Sequence, residues 1–382
     1  MSEIRVNNLS NESSTGGPTI SGITTFSGTN FFVPPVGNTA ERPDNPEKGS
    51  IRFNTDSKHL EYFRGDTIGW SDVEASHGQL GGGTGSNTGT GARGVFFGRA
   101  EPSPINNMID FVTIPSFGNA QDFGDMSGAS YTYATASSKI RGFCAGGSTP
   151  HADVIDFITF SSTGNATDTG NLTQARYQMA GGVNDLTRSI FGGGDHYGSP
   201  NAHYNILDYI TSATGGNAVD FGDLTGSKRM AAAMSSSTRG IFAGGTPGPA
   251  STNTIEYITI STLGNSEDFG DISSYDLKEG RGCSNSTRGL LAGGYSPNVN
   301  TIEYITMATF GNAVDFGDMT MARSHFASCS SQLRGLFASA LNNTASIDAV
   351  EILKTGNAVD FGDLSTGGHN ADGTSNAHGG LG

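Results

Sequence analysis

The stretch RGLLAGGYSPNVNTIEYITMATFGNAVDFGD, residues 288–318, decides the fold of this chain because it recurs six times with substitutions. Each copy opens with an arginine followed by Gly or Ser and apolar residues, at Arg93, Arg141, Arg188, Arg239, Arg288 and Arg334. Each copy closes on a Gly-Asn pair that begins at Gly118, Gly164, Gly216, Gly264, Gly311 and Gly356. Units this short cannot bury a core alone, so the copies must share one.

Four strands are predicted within each unit. The pattern places a first strand at residues 324–331, a second at 333–338, a third at 301–307 and a short outer strand at 313–316, with the Gly-Asn pair as a turn. No stretch of the array has helical periodicity. Six units of four strands each predict an all-β fold, a six-bladed β-propeller.

The two ends of the array predict how it closes. The first unit begins at its second strand, Arg93, and no convincing first strand precedes it. The segment 367–382 follows the last unit, and its ending NAHGGLG echoes the STRGLLA of a second strand. We therefore expect this tail to supply the inner strand of the first blade, which removes the open sheet edges that favour aggregation.

A smaller region precedes the array. Residues 1–18 read as a flexible arm, 19–77 as a small β anchoring domain, 78–92 as a Gly-rich linker and 93–382 as the propeller. Within the second region, GSIRFNTDSKHLEYFRGDTIGW (49–70) predicts a hairpin that sets Ile51 and Phe53 against Leu60 and Tyr62. A lone hairpin is not stable in water, so this domain must trimerise, dock on the repeats or be held by another protein.

Composition excludes several classes of function. The 382 residues carry a formal charge of −15, which disfavours binding to nucleic acid or to anionic membrane surfaces. There is no 18-residue apolar run and no signal-peptide pattern, so we expect neither membrane insertion nor secretion. Cys144, Cys283 and Cys329 stand among apolar residues of strands, which predicts free, buried thiols with no disulfide and no metal site.

Two repeated acidic motifs are the first candidates for chemistry. One carboxylate stands before an aromatic or apolar residue in each unit, at Asp110, Asp156, Asp208, Glu256, Glu303 and Glu351. The other motif is Asp-Phe-Gly-Asp, first at residues 122–125, which we interpret as turn chemistry with calcium binding as the alternative. Because both motifs repeat in nearly every unit, structural roles are favoured, and no catalytic, cofactor-binding or metal-binding residue is predicted.

The loops that differ between units are the better candidates for binding. The loop DHYGSPNAHYN of the third unit contains His196, Tyr197, His203 and Tyr204, and we expect both histidines to be solvated. Aromatic and polar side chains on loops at one face are a common way for a rigid scaffold to bind glycans or proteins. These four residues are therefore the candidate binding residues, with ordinary solvent-exposed loops as the alternative.

The order of motifs resembles the kelch repeat over residues 93–366. A double glycine is followed by an acidic-aromatic pair and then by an Ala-Arg such as Ala322-Arg323, with the double glycines at 146–147, 193–194, 244–245 and 293–294. The outer-strand Trp of kelch is missing, and a Phe such as Phe316 stands near its place. The resemblance implies a kelch-like propeller, without membership of a particular eukaryotic kelch family.

Residues 19–73 resemble virion structural modules of tailed bacteriophages, notably those that infect marine cyanobacteria. The motif Gly-x-hydrophobic-Arg-Phe-Asn-Thr-Asp carries this resemblance, and the same proteins contain segments similar to RGLFAGG and GNAxDFGDL. It implies a non-enzymatic virion protein of fibre or decoration type, assembled in the host cytoplasm and often trimeric in fibres. Residues 1–77 would bind other virion proteins, and the propeller would contact host-surface glycan or neighbouring virion proteins. The alternative is a soluble glycan-binding lectin or adhesin.

Overall fold

A computed structural model describes residues 34–56, 59–67, 69–72, 92–100, 105–148, 153–196, 203–246, 252–273, 277–295, 297–340 and 343–381. The chain divides into two compact units, Met1–Ala75 and Ser76–Gly382. The predicted arm 1–18, the predicted strands within 19–33 and the linker residues 78–91 lie outside the described residues. Among the described residues there is no helix with the length and apolar character needed to cross a membrane.

The first unit is a four-stranded sheet with a short connector between its first two strands. Its strands are β1 (Val36–Gly37), β2 (Ile51–Asn54), β3 (His59–Phe63) and β4 (Trp70–Asp72), and a 3-10 helix spans Thr39–Glu41. The strands pair in sequence order, with β1 parallel to β2 and the other pairs antiparallel. The predicted hairpin is confirmed in register: Ile51 is opposite Tyr62 and Phe53 is opposite Leu60.

The second unit consists of short strands with almost no helix, so the all-β prediction is confirmed. In chain order the strands are β5 (Arg93–Arg99), β6 (Asn106–Thr113), β7 (Gln121–Asp125), β8 (Ala134–Ser137), β9 (Arg141–Ala145), β10 (Val154–Thr159), β11 (Thr167–Asn171), β12 (Arg176–Tyr177), β13 (Gly181–Asn184), β14 (Arg188–Gly192), β15 (Asp195–His196), β16 (Ile206–Thr211), β17 (Val219–Asp223), β18 (Ala232–Ser235), β19 (Arg239–Ala243), β20 (Thr254–Thr259), β21 (Glu267–Asp271), β22 (Arg281–Ser284), β23 (Arg288–Ala292), β24 (Thr301–Thr306), β25 (Val314–Asp318), β26 (Ala327–Ser330), β27 (Arg334–Ala338), β28 (Ser346–Glu351), β29 (Val359–Asp363) and β30 (Asp372–Ser375). A 3-10 helix, Gly379–Leu381, follows the last strand.

These strands form six four-stranded antiparallel sheets. Their orders are β30-β5-β6-β7, β8-β9-β10-β11, β13-β14-β16-β17, β18-β19-β20-β21, β22-β23-β24-β25 and β26-β27-β28-β29, with β12 and β15 as a separate pair. The tail strand β30 pairs with β5, with Asp372 opposite Phe97 and Ser375 opposite Gly94. The predicted pairing of the tail with the first unit is therefore confirmed.

The first strand of each sheet, called here the inner strand, contacts the inner strand of the next sheet. The contacts run from β8 to β13, β18, β22, β26 and β30, and β30 in turn contacts β8. Apolar clusters fill the spaces between sheets; one of them joins Leu290 and Phe316 of one sheet to Phe337 and Val350 of the next. The core is thus divided among the spaces between sheets, as expected for units that cannot bury a core alone.

The Asp-Phe-Gly-Asp motif is not a turn, which corrects the interpretation made from sequence. Its residues form the outermost strand of most sheets, for example Val314–Asp318, and the pairing with the third strand shifts register between Ile302 and Glu303. This irregularity is a β-bulge, and Gly317 within it has a φ of 143°. The glycine is required because a side chain at this backbone conformation is strained.

The Gly-Asn pair of one sheet binds this outer strand of the sheet before it. Gly356 donates its N–H to the Phe316 carbonyl at 2.8 Å, and Ala358 donates to the Asp318 carbonyl at 2.7 Å. The Asn357 side chain accepts from the Asp318 N–H at 3.1 Å. We call this set of bonds the outer seam; each of the six asparagines makes the corresponding bond, at Asn119, Asn165, Asn217, Asn265, Asn312 and Asn357.

Two glycine substitutions separate backbone strain from crowding at the outer seam. Gly317 and Gly356 both have positive φ, 143° and 151°, so alanine at either position costs about 1–3 kcal/mol of strain. A Cβ on Gly317 would also lie 2.5 Å from the Gly356 carbonyl oxygen, whereas a Cβ on Gly356 meets no atom within 4 Å. We expect Gly317→Ala to lower the free energy of unfolding by about 1–3 kcal/mol more than Gly356→Ala in urea titrations. Equal losses would contradict the packing of the seam.

Candidate functional site

The repeated carboxylates of the third strands join neighbouring sheets. Asp348 accepts from the Thr320 N–H at 2.7 Å and from the Thr320 hydroxyl at 2.8 Å, and Thr320 follows the outer strand of the preceding sheet. The same arrangement links Ser365 to Asp110, Ser127 to Asp156, Thr173 to Asp208, Thr225 to Glu256 and Ser273 to Glu303. In the sixth unit the bonded acid is Asp348. Glu351, which was assigned to this position from sequence, is exposed at the end of β28, so that assignment is wrong.

Four of these buried carboxylates also pair with a buried cation. The ion pairs are Arg99–Asp110, Arg176–Asp208, Lys228–Glu256 and Arg323–Asp348. Desolvation raises the pKa of Glu256, but Lys228 and the hydroxyl partners outweigh it and hold the pKa below its usual value. The structural interpretation is confirmed for five of the six predicted acids, which are bonded between sheets, and it is wrong for Glu351, whose place is taken by Asp348.

The structure separates the four candidate loop residues. The backbone of His196 lies in β15, while its side chain and the whole of Tyr197 lie outside the described residues. The His203 ring is only 6% exposed and its Nδ1 contacts Asp195, so the expectation that His203 is solvated is wrong. Asp195 also binds Arg229 at 2.8 Å, and the half-buried Tyr204 donates its N–H to the Gly194 carbonyl at 2.8 Å.

A cavity of about 60 Å³ lies between the inner strands. Seven of its lining residues are serine or threonine, including Ser235, Ser284, Ser330 and Ser375 at the carboxyl ends of their strands. By the usual measure this volume holds about four water-sized groups. Cys283 and Cys329 also line the cavity, and burial raises the pKa of Cys283 to about 12, so this thiol remains protonated at neutral pH.

One end of the cavity is bounded by a ring of hydrogen bonds that closes on itself. The Ser137 N–H donates to Asn184, and each following inner strand repeats the step through Ser235, Ser284 and Ser330. The Ser375 hydroxyl donates to the Ser330 carbonyl at 2.5 Å. The Ser137 hydroxyl donates to the Ser375 carbonyl at 2.7 Å, and this bond closes the ring at Ser137.

His378 covers this ring from the tail. The Gly380 N–H donates to Nδ1 at 3.1 Å, so the proton must be on Nε2, which donates to the Ser137 hydroxyl at 2.9 Å. Burial lowers the pKa of His378 to about 4, since no carboxylate offsets the loss of water. Gly379 and Gly380 must be glycine here, because a Cβ on either would collide with backbone carbonyls of other sheets.

The other end of the cavity holds two charged groups that sequence analysis missed. Arg281 and Asp372 are the first residues of β22 and β30, and the other four inner strands begin with alanine or glycine, at Ala134, Gly181, Ala232 and Ala327. They are the only acidic or basic side chains among the described residues that line the cavity, histidine aside. Aligning the inner strands alone, instead of the whole units, would have revealed these two departures from the repeat.

Just outside this end, six residues adopt left-handed backbone conformation. They are Thr132, Gln178, Met230, Glu279, His325 and Asn370, with φ between 48° and 61°. Backbone and hydroxyl bonds connect most neighbours in this set; for example, the Asn370 N–H donates to the His325 carbonyl at 2.7 Å. Strained positions are often retained at functional sites, and here the side chains differ from sheet to sheet although the backbone repeats.

The acid sensitivity of the fold tests the placement of His378. The unfolded chain binds a proton at His378 near pH 6.5, whereas the folded chain binds it only near pH 4, so stability is lost as the pH falls between these values. Between pH 7 and pH 5 we expect the wild type to lose about 2 kcal/mol more free energy of unfolding than His378→Asn does. Urea titrations at the two pH values measure this, and equal losses would place His378 in solvent.

Comparison with known proteins does not assign the chain to a family. No protein-family model matches it, and no curated protein matches it significantly. The arrangement of its own side chains is therefore the basis on which a function can be proposed.

Proposed function

We propose that the second unit is a six-bladed, kelch-like β-propeller. Six four-stranded sheets of equal construction support this, since their inner strands contact one another in cyclic order. The tail strand β30 supports it further by completing the sheet that contains β5, β6 and β7. In this proposal each sheet is a blade and the cavity lies on the propeller axis.

We further propose that the chain is a non-enzymatic virion structural protein of a tailed bacteriophage, of fibre or decoration type. Residues 1–77 anchor it to capsid or tail proteins in the particle, and the propeller is displayed for contact with host-surface glycan or other virion proteins. In one form of this proposal, residues 1–77 trimerise. The observation that most supports attachment to the particle is the distribution of apolar and charged groups in the first unit.

In an ordinary domain the buried face of a sheet is apolar, but the buried face of the first sheet is largely polar. On one face Arg52, Asn54 and Glu61 are buried, with Glu61 bound by Arg42 at 2.5 Å and by Asn54 at 3.1 Å. These bonds hold the pKa of Glu61 below its usual value despite the cost of desolvation, with Arg42 the main cause. The connector that follows β1 supplies Arg42, so polar bonds stabilise this face together with the packing of the buried Phe63 on Trp70.

The opposite face of the sheet is apolar and partly open, and we call it the anchor face. It carries Val36, Ile51, Phe53, Leu60 and Tyr62, of which Val36 is 58% and Ile51 51% exposed. A partly exposed apolar face of a sheet is a typical surface for another protein to cover. The proposed occupant is a protein of the particle, because a unit of this size cannot bury enough surface by itself.

A soluble glycan-binding lectin is the second candidate. The observation that favours it is the charged pair Arg281–Asp372, which breaks the symmetry of the second unit at one end of the cavity. A lectin would use that end of the propeller without being attached to a particle. Absence of the chain from purified particles, together with glycan binding, would favour this candidate.

Substitution in the anchor face tests the proposed attachment. We expect Ile51→Asp in the full chain to reduce co-sedimentation with purified phage particles at least about tenfold, because a carboxylate in an apolar interface is costly. Ile140→Asp is the matched control: Ile140 is 57% exposed in the second unit, and its substitution should leave attachment unchanged. Attachment that survives Ile51→Asp but is lost with Ile140→Asp would contradict the proposal.

A further inference from the structure

The guanidinium of Arg281 is buried in the cavity without enough hydrogen-bond partners. Its Nη1 donates to the Gly280 carbonyl at 3.1 Å, while its Nε has no partner among the described residues. Asp372 Oδ1 lies 3.8 Å from this Nε, which is beyond hydrogen-bond distance. The two side chains are only 7% and 9% exposed. Nε of several other arginines also has no partner, so it is the place of Arg281 in the cavity lining that would allow a further group to bind its guanidinium.

The position of Asp372 restricts the chemistry of that group. Its Oδ1 already accepts from the Gly373 N–H at 2.8 Å, and burial raises its pKa more than Arg281 and the hydrogen bonds from Gly373 and Thr135 lower it. An anionic ligand would be repelled by the Asp372 carboxylate, and a cationic ligand by Arg281. A hydroxyl group satisfies both, because it can accept from the guanidinium and donate to the carboxylate.

The volume of the cavity limits the size of the bound group, and the residues just outside the cavity determine what the rest of the ligand contacts. About 60 Å³ holds a hydroxymethyl group or a diol, but a pyranose ring must remain outside. Outside this end lie Glu279 and His325, whose side chains pair at 2.8 Å, and the His325 ring contacts Tyr295 with centroids 5.5 Å apart. Tyr295 is 40% exposed, so it offers an aromatic edge to the apolar side of a sugar.

We propose that the Arg281–Asp372 end of the cavity binds the hydroxymethyl or diol end of a neutral saccharide, whose ring lies against Tyr295 and His325. This deepens the proposed function, on which it rests, by naming the residues of the propeller that contact glycan. Arg281 and Asp372 are binding residues in this account, and the site takes part in no covalent step. The hydroxyls of the repeated inner strands form the wall, and the two charged groups supply the selectivity.

Saturation-transfer NMR on the full chain tests this proposal. The probes are the methyl glycosides of neutral hexoses and N-acetylhexosamines, with methyl glucuronide as the anionic comparison. We expect at least one neutral glycoside to bind, and Arg281→Met or Asp372→Asn to weaken it at least about tenfold, since each removes a charge-assisted bond. Arg281→Lys keeps the charge but loses the guanidinium, so we expect it to weaken binding as well. This variant also provides a test if Arg281→Met and Asp372→Asn do not fold.

A matched control distinguishes binding from stability. Lys228→Met breaks the buried pair with Glu256, which lies between sheets and outside the cavity lining. We expect it to lower the thermal midpoint but to leave saccharide affinity within about twofold of the wild type. Equal loss of affinity in Lys228→Met and Arg281→Met, binding of the glucuronide alone, or no saturation transfer from any glycoside would overturn the proposal.

Failure of this inference and failure of the proposed function give different results. If Ile51→Asp abolishes attachment to particles but no glycoside binds, the virion proposal is supported and the saccharide site is wrong. If a neutral glycoside binds through Arg281 while the chain is absent from particles, the saccharide site is supported and the lectin replaces the virion protein.

Discussion

The outer seam is the constraint on which the second unit depends. The Gly-Asn pair of each sheet and the Ala or Ser that follows it bind the outer strand of the sheet before it; for example, Gly264 and Ser266 donate to Phe221 and Asp223. The seam explains why the Gly-Asn pair and the Asp-Phe-Gly-Asp motif repeat together: each Gly-Asn pair contacts the Asp-Phe-Gly-Asp strand of another unit. Because the bonds use the backbone and one amide side chain, the apolar residues between sheets can vary while the spacing of the sheets stays constant.

Sequence periodicity predicted the elements of the fold but not the contacts between units. The strands Thr301–Thr306 and Arg334–Ala338 and the pairing of β30 with β5 follow from local pattern and from the count of strands in the first unit. The Asp-Phe-Gly-Asp motif was misread because aspartate next to glycine is typical of turns, whereas here the glycine forms a bulge against a neighbouring sheet. No local pattern reveals that neighbour, since it is about 40 residues away in sequence.

The candidate site was less predictable than the fold, for the same reason. Comparison of whole units draws attention to the loops that differ in length, and His203 was chosen as a candidate for that reason. Its ring is in fact buried and in contact with Asp195. Arg281 and Asp372 stand in strands that otherwise repeat, in two sheets that are not neighbours, and only the arrangement of the inner strands brings them together. In a repeated scaffold, buried charges that break the repeat are better candidates for a binding role than repeated charges, because the repeated charges are used between sheets.

Native-state hydrogen exchange at the seam between the last sheet and the first is the most direct measurement of the central claim. Gly118, Ala120 and Asp363 donate their N–H groups across this seam, to the Phe361 and Asp363 carbonyls and the Asn119 side chain. Their counterparts at an internal seam are Gly264, Ser266 and Asp223. If the six sheets close into a propeller, the two sets of amides should be protected to a similar extent. Fast exchange at Gly118, Ala120 and Asp363, with the internal set protected, would show that the array is open and contradict the account.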